Sequence, residues 1–177
     1  MVLNLSIYSG FIGLAIVAIL LFIVGKIEVK DKKSLEISNA IREGAFSFLF
    51  EEYKIIALIT VPLSIFLGVY VSKFVAFAFI IGALLSLSVG FLGMHAATKA
   101  NVRAALAAKN IGEKAAFLIS FYGGGVMGFA VASTGLLGLA FIFKLAIARY
   151  ESFELILSSF AFGASLVAFF ARVGGGI

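Results

Sequence analysis

Long apolar runs separated by short charged stretches make up most of the chain. A helix needs about 20 apolar residues to cross the hydrocarbon of a bilayer. Residues 5–25, 55–72, 74–98, 115–143 and 153–171 each form such a run. The first run could be taken for a signal peptide. However, no basic residue precedes it, no small-residue cleavage site follows it, and Lys26 comes at once. It reads as an uncleaved span. The second run carries Pro62, and only Lys73 marks the turn before the third, which predicts a tight hairpin. Residues 26–33 form a charged turn. From Ser34 onward Ile37, Ile41, Gly44 and Phe48 recur at three- and four-residue steps, while Glu36, Asn39, Arg42 and Glu43 fall on other faces. This predicts an amphipathic helix running into the second span, with a helix lying on the membrane surface as the alternative.

Composition agrees with the pattern. The chain has 177 residues, 63% hydrophobic and 13% charged, whereas a soluble domain is about half apolar and a quarter charged. The excess must face lipid or other helices. The expected fold is therefore all-α: a polytopic transmembrane helical bundle of five spans, with 1–177 as a single membrane domain. The 20 phenylalanines and the single proline suit long uninterrupted helices. There is no cysteine, which excludes disulfides, thiol nucleophiles and cysteine metal sites, and one histidine cannot make a histidine-rich metal centre.

The net charge of +5 carries topological information. No dense Lys/Arg run with interleaved aromatics exists, so no nucleic-acid partner is expected. Basic residues collect in cytoplasmic loops. With the N-terminus outside, the inner side holds Lys26, Lys30, Lys32, Lys33, Arg42, Lys54, Lys99, Arg103, Lys109, Lys114 and Arg172. The outer side holds only Lys73, Lys144 and Arg149, eleven against three. The expected localisation is a multi-pass membrane protein with its N-terminus outside and its C-terminus cytoplasmic.

Candidate chemistry is sparse. In the fifth run Ser158, Ala161, Ser165, Ala168 and Arg172 follow steps of three and four and share one helix face, small and polar and ending in a cation. Such a face suits close packing inside a bundle, and the bland alternative for Arg172 is a snorkelling end charge. The fourth run is rich in glycine, and Gly124 and Gly128, continued by Ala132, read as a small-xxx-small contact. It is no phosphate loop, because the following Lys-Ser/Thr pair is lacking. Thr98-Lys-Ala-Asn-Val-Arg103 reads as a basic loop at a span end, able to meet lipid phosphates, cap a helix or touch an anion. His95 reads as a packed interfacial residue or a proton relay. Glu51 and Glu52 point about 100° apart and make no evident acid/base pair. Three glycines after Arg172 lead a chain onward, which suggests a piece of a longer protein.

Four stretches carry a resemblance. They are Glu36-Ile-Ser-Asn-Ala-Ile-Arg-Glu-Gly-Ala-Phe-Ser-Phe-Leu49 with Glu52-Tyr-Lys54, Gly93-Met-His-Ala-Ala-Thr-Lys-Ala-Asn-Val-Arg103, Gly123-Gly-Gly-Val-Met-Gly128 with Gly135-Leu-Leu-Gly-Leu139, and Phe162-Gly-Ala-Ser165 with Phe170-Ala-Arg-Val-Gly-Gly-Gly-Ile177. In content and order they resemble membrane-bound inorganic pyrophosphatases, which pump protons or sodium ions.

The resemblance implies a homodimer whose subunit is a bundle of about sixteen helical spans. The first four spans here would join its outer ring and the fifth its inner ring. It implies pyrophosphate as substrate, Mg2+ as cofactor and potassium as a further candidate. It places Arg172, and Ser165 one heptad earlier, at an ion gate or coupling point, with Gly174, Gly175 and Gly176 beside the hydrolytic site. Thr98, Lys99, Asn101 and Arg103 match a family motif of no assigned role. The family's magnesium-binding aspartates have no counterpart in these residues, so no catalytic or metal-ligating residue is expected here and the chain alone should be inactive. The other class of reading is a non-catalytic membrane scaffold or partner-binding module. A small transporter is less favoured, since no internal repeat is evident.

Overall fold

The computed structural model describes residues 2–29, 31–149 and 153–174. All regular structure among them is helical: α1 (Val2–Lys26), α2 (Lys32–Tyr70), α3 (Lys73–Asn110), α4 (Glu113–Arg149) and α5 (Phe153–Gly174). All five helices are long and apolar enough to cross a membrane. The protein is an all-α, multi-pass integral membrane protein. At about 1.5 Å per residue the 39 residues of α2 reach about 58 Å, nearly twice the hydrocarbon thickness of about 30 Å. The 38 residues of α3 and 37 of α4 do the same. The amphipathic stretch after Ser34 and the second apolar run form one helix, with Pro62 inside it.

The turns are built from local hydrogen bonds. Asp31 caps α2, accepting at Oδ2 from the Ser34 amide at 3.1 Å and from the Ser34 hydroxyl. At the α2–α3 hairpin the amides of Val71 and Ser72 both reach the Leu67 carbonyl at 3.0 Å, and the Ser72 hydroxyl accepts from the Phe74 amide at 3.2 Å. At the α3–α4 turn the amides of Ile111 and Gly112 share the Ala107 carbonyl at 2.9 Å. Gly112 has φ 127°, a left-handed conformation that glycine adopts without strain.

The contacts divide into two compact units. One joins the start of α1, the second half of α2, the first half of α3, the second half of α4 and all of α5. Its core sets Val75 and Ala78 of α3 against Ile142 and Ala146 of α4 and Ile156 and Phe160 of α5. A second cluster there joins Ile56 of α2, Ala83 of α3 and Val167 of α5. The other unit joins the rest of α1, the first halves of α2 and α4 and the second half of α3. Its core is Val17, Val89, Ala96, Val126 and Ala130. Helix α3 enters every one of these clusters and is the most enclosed helix, while α2 is the least.

Glycines set the closest approaches, but not the stripe read from the sequence. Gly124 and Gly128 have nothing within 4 Å of a Cβ built on them, and Ala132 is exposed. The contacts are made instead by Gly123 against Ala100, and by Gly138 against Leu85 and Phe160. The closest backbone-to-backbone pairing joins α3 and α5. A Cβ on Gly82 would collide with the Phe160 carbonyl, and one on Gly163 with the Phe79 carbonyl. Ser159 Oγ donates to the Val75 carbonyl across the same seam at 2.9 Å.

Candidate functional site

Helix α5 has two unlike sides. Ile156, Ser159, Phe160, Gly163 and Val167 are buried against the neighbouring helices. At 100° per residue, Ser158, Ala161, Ser165, Ala168 and Arg172 lie on the opposite side, and all five are exposed. The small polar face therefore points away from everything this chain packs on α5. Arg172 stands in the last turn, where a cation complements the helix dipole, and meets no carboxylate among the described residues. Gly174 closes the helix, while Gly175 and Gly176 lie outside the described residues.

Thr98, Lys99, Asn101 and Arg103 lie inside α3, not in a loop. The apolar run ends near Thr98, yet the alanine-rich sequence beyond is strongly helix-forming and carries α3 to Asn110. The Thr98 hydroxyl is turned back on its own helix, donating to the carbonyls of Met94 at 2.9 Å and His95 at 3.2 Å. Arg103 donates through Nε to the Ile27 carbonyl at 2.9 Å and through Nη1 to the Lys99 carbonyl at 2.8 Å. Its fork thus ties the chain just past α1 onto α3. Asn101 is exposed and Lys99 half-buried. Half of the motif serves local architecture, and the other half is open.

His95 stands beside Arg42 of α2, with Arg42 Nη2 3.4 Å from its Nδ1. A guanidinium only donates, so Nδ1 accepts in this contact and the ring proton sits on Nε2. Phe46 packs edge-on to both His95 and Phe91, and Arg42 lies over the Phe46 ring. This is a packed polar–aromatic joint between α2 and α3, the first of the two readings of His95. Glu51 and Glu52 part company as their helical spacing requires. Glu51 pairs with Lys54 at 2.6 Å on the surface. Glu52 is buried, and its Oε1 has no hydrogen-bond partner.

No three His, Cys, Asp or Glu side chains gather into a possible metal site among the described residues. The donor set present does not fit the magnesium that the family resemblance implies, and no step is assigned to a metal here.

Comparison with known proteins decides the family. The model of the inorganic H+ pyrophosphatase family matches residues 11–177. The chain belongs to the inorganic H+ pyrophosphatase family. It is 36% identical over 171 residues to a K(+)-insensitive pyrophosphate-energized proton pump of Methanosarcina mazei, covering 96% of this chain and 25% of the relative. It is 37% identical over 172 residues to a putative K(+)-stimulated pyrophosphate-energized sodium pump of Clostridium tetani, covering 97% and 25%. A K(+)-stimulated pyrophosphate-energized sodium pump of Thermotoga maritima is 38% identical over 163 residues, covering 80% and 22%. The chain thus spans about a quarter of the length of these pyrophosphatase relatives.

Proposed function

We propose that this chain is the N-terminal membrane portion of a pump that couples pyrophosphate hydrolysis to the movement of protons or sodium ions, with α5 as its link to the working centre. The open face of α5 carries the reading. Beside the large exposed Leu155, Phe162 and Phe169, α5 presents a continuous stripe of small and polar residues, Ser158, Ala161, Ser165, Ala168 and Arg172, which a helix wholly at the lipid rim would not need. Small and hydroxyl residues let further helices approach closely, and a charge at membrane depth faces a partner or a polar path. Identity to proton and sodium pumps is alike, so the reading covers both ions.

In this proposal Arg172 and Ser165 serve coupling. The guanidinium stays charged at any ordinary pH and offers five donors in a rigid fork, which suits it to hold carboxylates rather than relay protons. Those carboxylates come from helices outside this chain, as do the magnesium and pyrophosphate ligands. Gly174, Gly175 and Gly176 adjoin that site. Thr98 and Arg103 act as scaffold for the joint of α1, α2 and α3, with Lys99 and Asn101 free to meet headgroups or other helices. The complete protein is a homodimer, with its N-terminus outside and the end of α5 on the cytoplasmic side.

The test is Arg172→Lys in the complete pump, sealed in vesicles, with hydrolysis and ion transport read together. Lysine keeps the charge and loses the fork, so coupled transport is expected to fall about tenfold, the equivalent of about 1.4 kcal/mol. Near-normal transport and hydrolysis would mean that Arg172 only snorkels. As a control, this chain by itself should release no phosphate from pyrophosphate with magnesium.

A further inference from the structure

Glu52 stands out as a buried titratable group that the proposed coupling does not use. The residue is 8% exposed, and its Oε1 is buried with no hydrogen-bond partner. It lies on α2 one turn ahead of Ile56, on the side by which Ile56 meets Ala83 of α3 and Val167 of α5. The residues grouped at that seam are uncharged: Tyr53, Ile56, Ala83, Leu87, Val167 and Phe170. The polar atom that α3 offers nearby, the Leu87 carbonyl, already accepts from the Tyr53 hydroxyl.

Cations are close in sequence but not available. Lys54 is exposed and bonded to Glu51. Arg172 follows Phe170 on α5, yet it lies on the exposed side of that helix. A metal ion would need several converging oxygens, and among the described residues no cluster of acidic or histidine ligands includes Glu52. With Oε1 shut off from water, donor and counter-ion, desolvation disfavours the ionised carboxylate and favours uptake of a proton.

We propose that Glu52 is a proton-binding site: at neutral pH its carboxyl is held protonated in the seam of α2, α3 and α5, and its ionisation loosens α2 from that seam. The ligand is the proton itself, and the site is distinct from the open face of α5. A protonated carboxyl fits an uncharged helix seam, whereas an ionised one draws in water or drives the helices apart. Stability from this group is present at low pH and lost as pH rises through its ionisation.

The experiment uses this chain in lipid nanodiscs with carboxyl-13C-labelled glutamate, followed by NMR and infrared spectroscopy from acid to alkaline pH. One of the eight glutamates is expected to remain protonated at neutral pH, when the others have ionised. Its signals should vanish in Glu52→Gln, whose thermal midpoint should no longer fall as the pH is raised. Eight ionised carboxyls at neutral pH in the unaltered chain would overturn the proposal, and that reading needs no variant to fold. A protonated signal that survives Glu52→Gln would overturn it as well. Neither readout depends on pyrophosphatase activity, so this site and the coupling role of Arg172 fail or stand separately.

Discussion

Asp31 shows how much one exposed side chain can fix. It sits just ahead of Lys32, where α2 begins, and its carboxylate accepts from both the hydroxyl and the amide of Ser34. Those two bonds, the hydroxyl's first, hold its carboxyl below the usual carboxylate range. The sign follows from linkage. A group whose folded-state pKa is depressed contributes stability above its ordinary pKa, and that contribution is lost as pH falls through the depressed value. Asp31→Ala is therefore expected to fray the first turn of α2 at neutral pH. Amide protection at Lys33 and Ser34 should drop several-fold, and the gap between the two proteins should close in acid, where Asp31 itself is protonated. Equal protection at neutral pH would show that the cap contributes nothing.

At the level of helices, the α3–α5 seam is the contact with the least slack. Gly82 and Gly163 each face a backbone carbonyl of the other helix, an obstacle that cannot rotate away like a side-chain tip. The two backbones come close enough for Ser159 to bond across to Val75. Gly163→Ala must push α5 off α3, at a cost of about 1–3 kcal/mol or more. Gly124→Ala in α4 is the contrast, since nothing lies within 4 Å of its added methyl. There the gain in helix propensity, up to about 1 kcal/mol, should leave the protein unchanged or slightly firmer. Thermal unfolding of both variants in one detergent checks the pair. Equal midpoints would mean that the seam is looser than its geometry implies.

For the whole molecule the open question with a physical handle is orientation. Lys26, Lys32, Lys33, Arg42, Lys99, Arg103, Lys109 and Lys114 all belong to the unit built from the first halves of α2 and α4 and the second half of α3. Lys54, Lys73, Lys144 and Arg172 belong to the other unit. The positive-inside rule predicts the cytoplasmic side for the segments that carry the first eight cations. Cysteine introduced at Ser34 should label only from the cytoplasmic side of intact cells or vesicles, and cysteine at Lys73 only from the outer side. Labelling of Ser34→Cys from outside would reverse the topology, and with it the side on which Arg172 is proposed to work.

The sequence by itself determined the class of the protein, the number of helices, the family and the two unlike sides of α5. These are local properties: run length, composition, a three-and-four periodicity, and strings such as Ala-Arg-Val-Gly-Gly-Gly-Ile that survive without any knowledge of neighbours. Only the tertiary structure decided which faces are covered. In a bilayer, lipid tails are as apolar as a packed helix, so hydropathy does not distinguish a lipid face from a protein face. That is why Gly124 and Gly128 read like a contact while other glycines, Gly82 and Gly163 against backbone and Gly10, Gly13, Gly93, Gly123 and Gly138 against side chains, make the close ones. It is also why Thr98 to Arg103 read as a loop. The apolar run stops there, but the helix is held by backbone bonds and alanine propensity, and Arg103 finds its acceptor 76 residues away at Ile27. The burial of Glu52 has the same origin. Adjacent glutamates look alike in sequence, and only the placement of α3 and α5 against one side of α2 makes one a surface charge and the other an enclosed carboxyl.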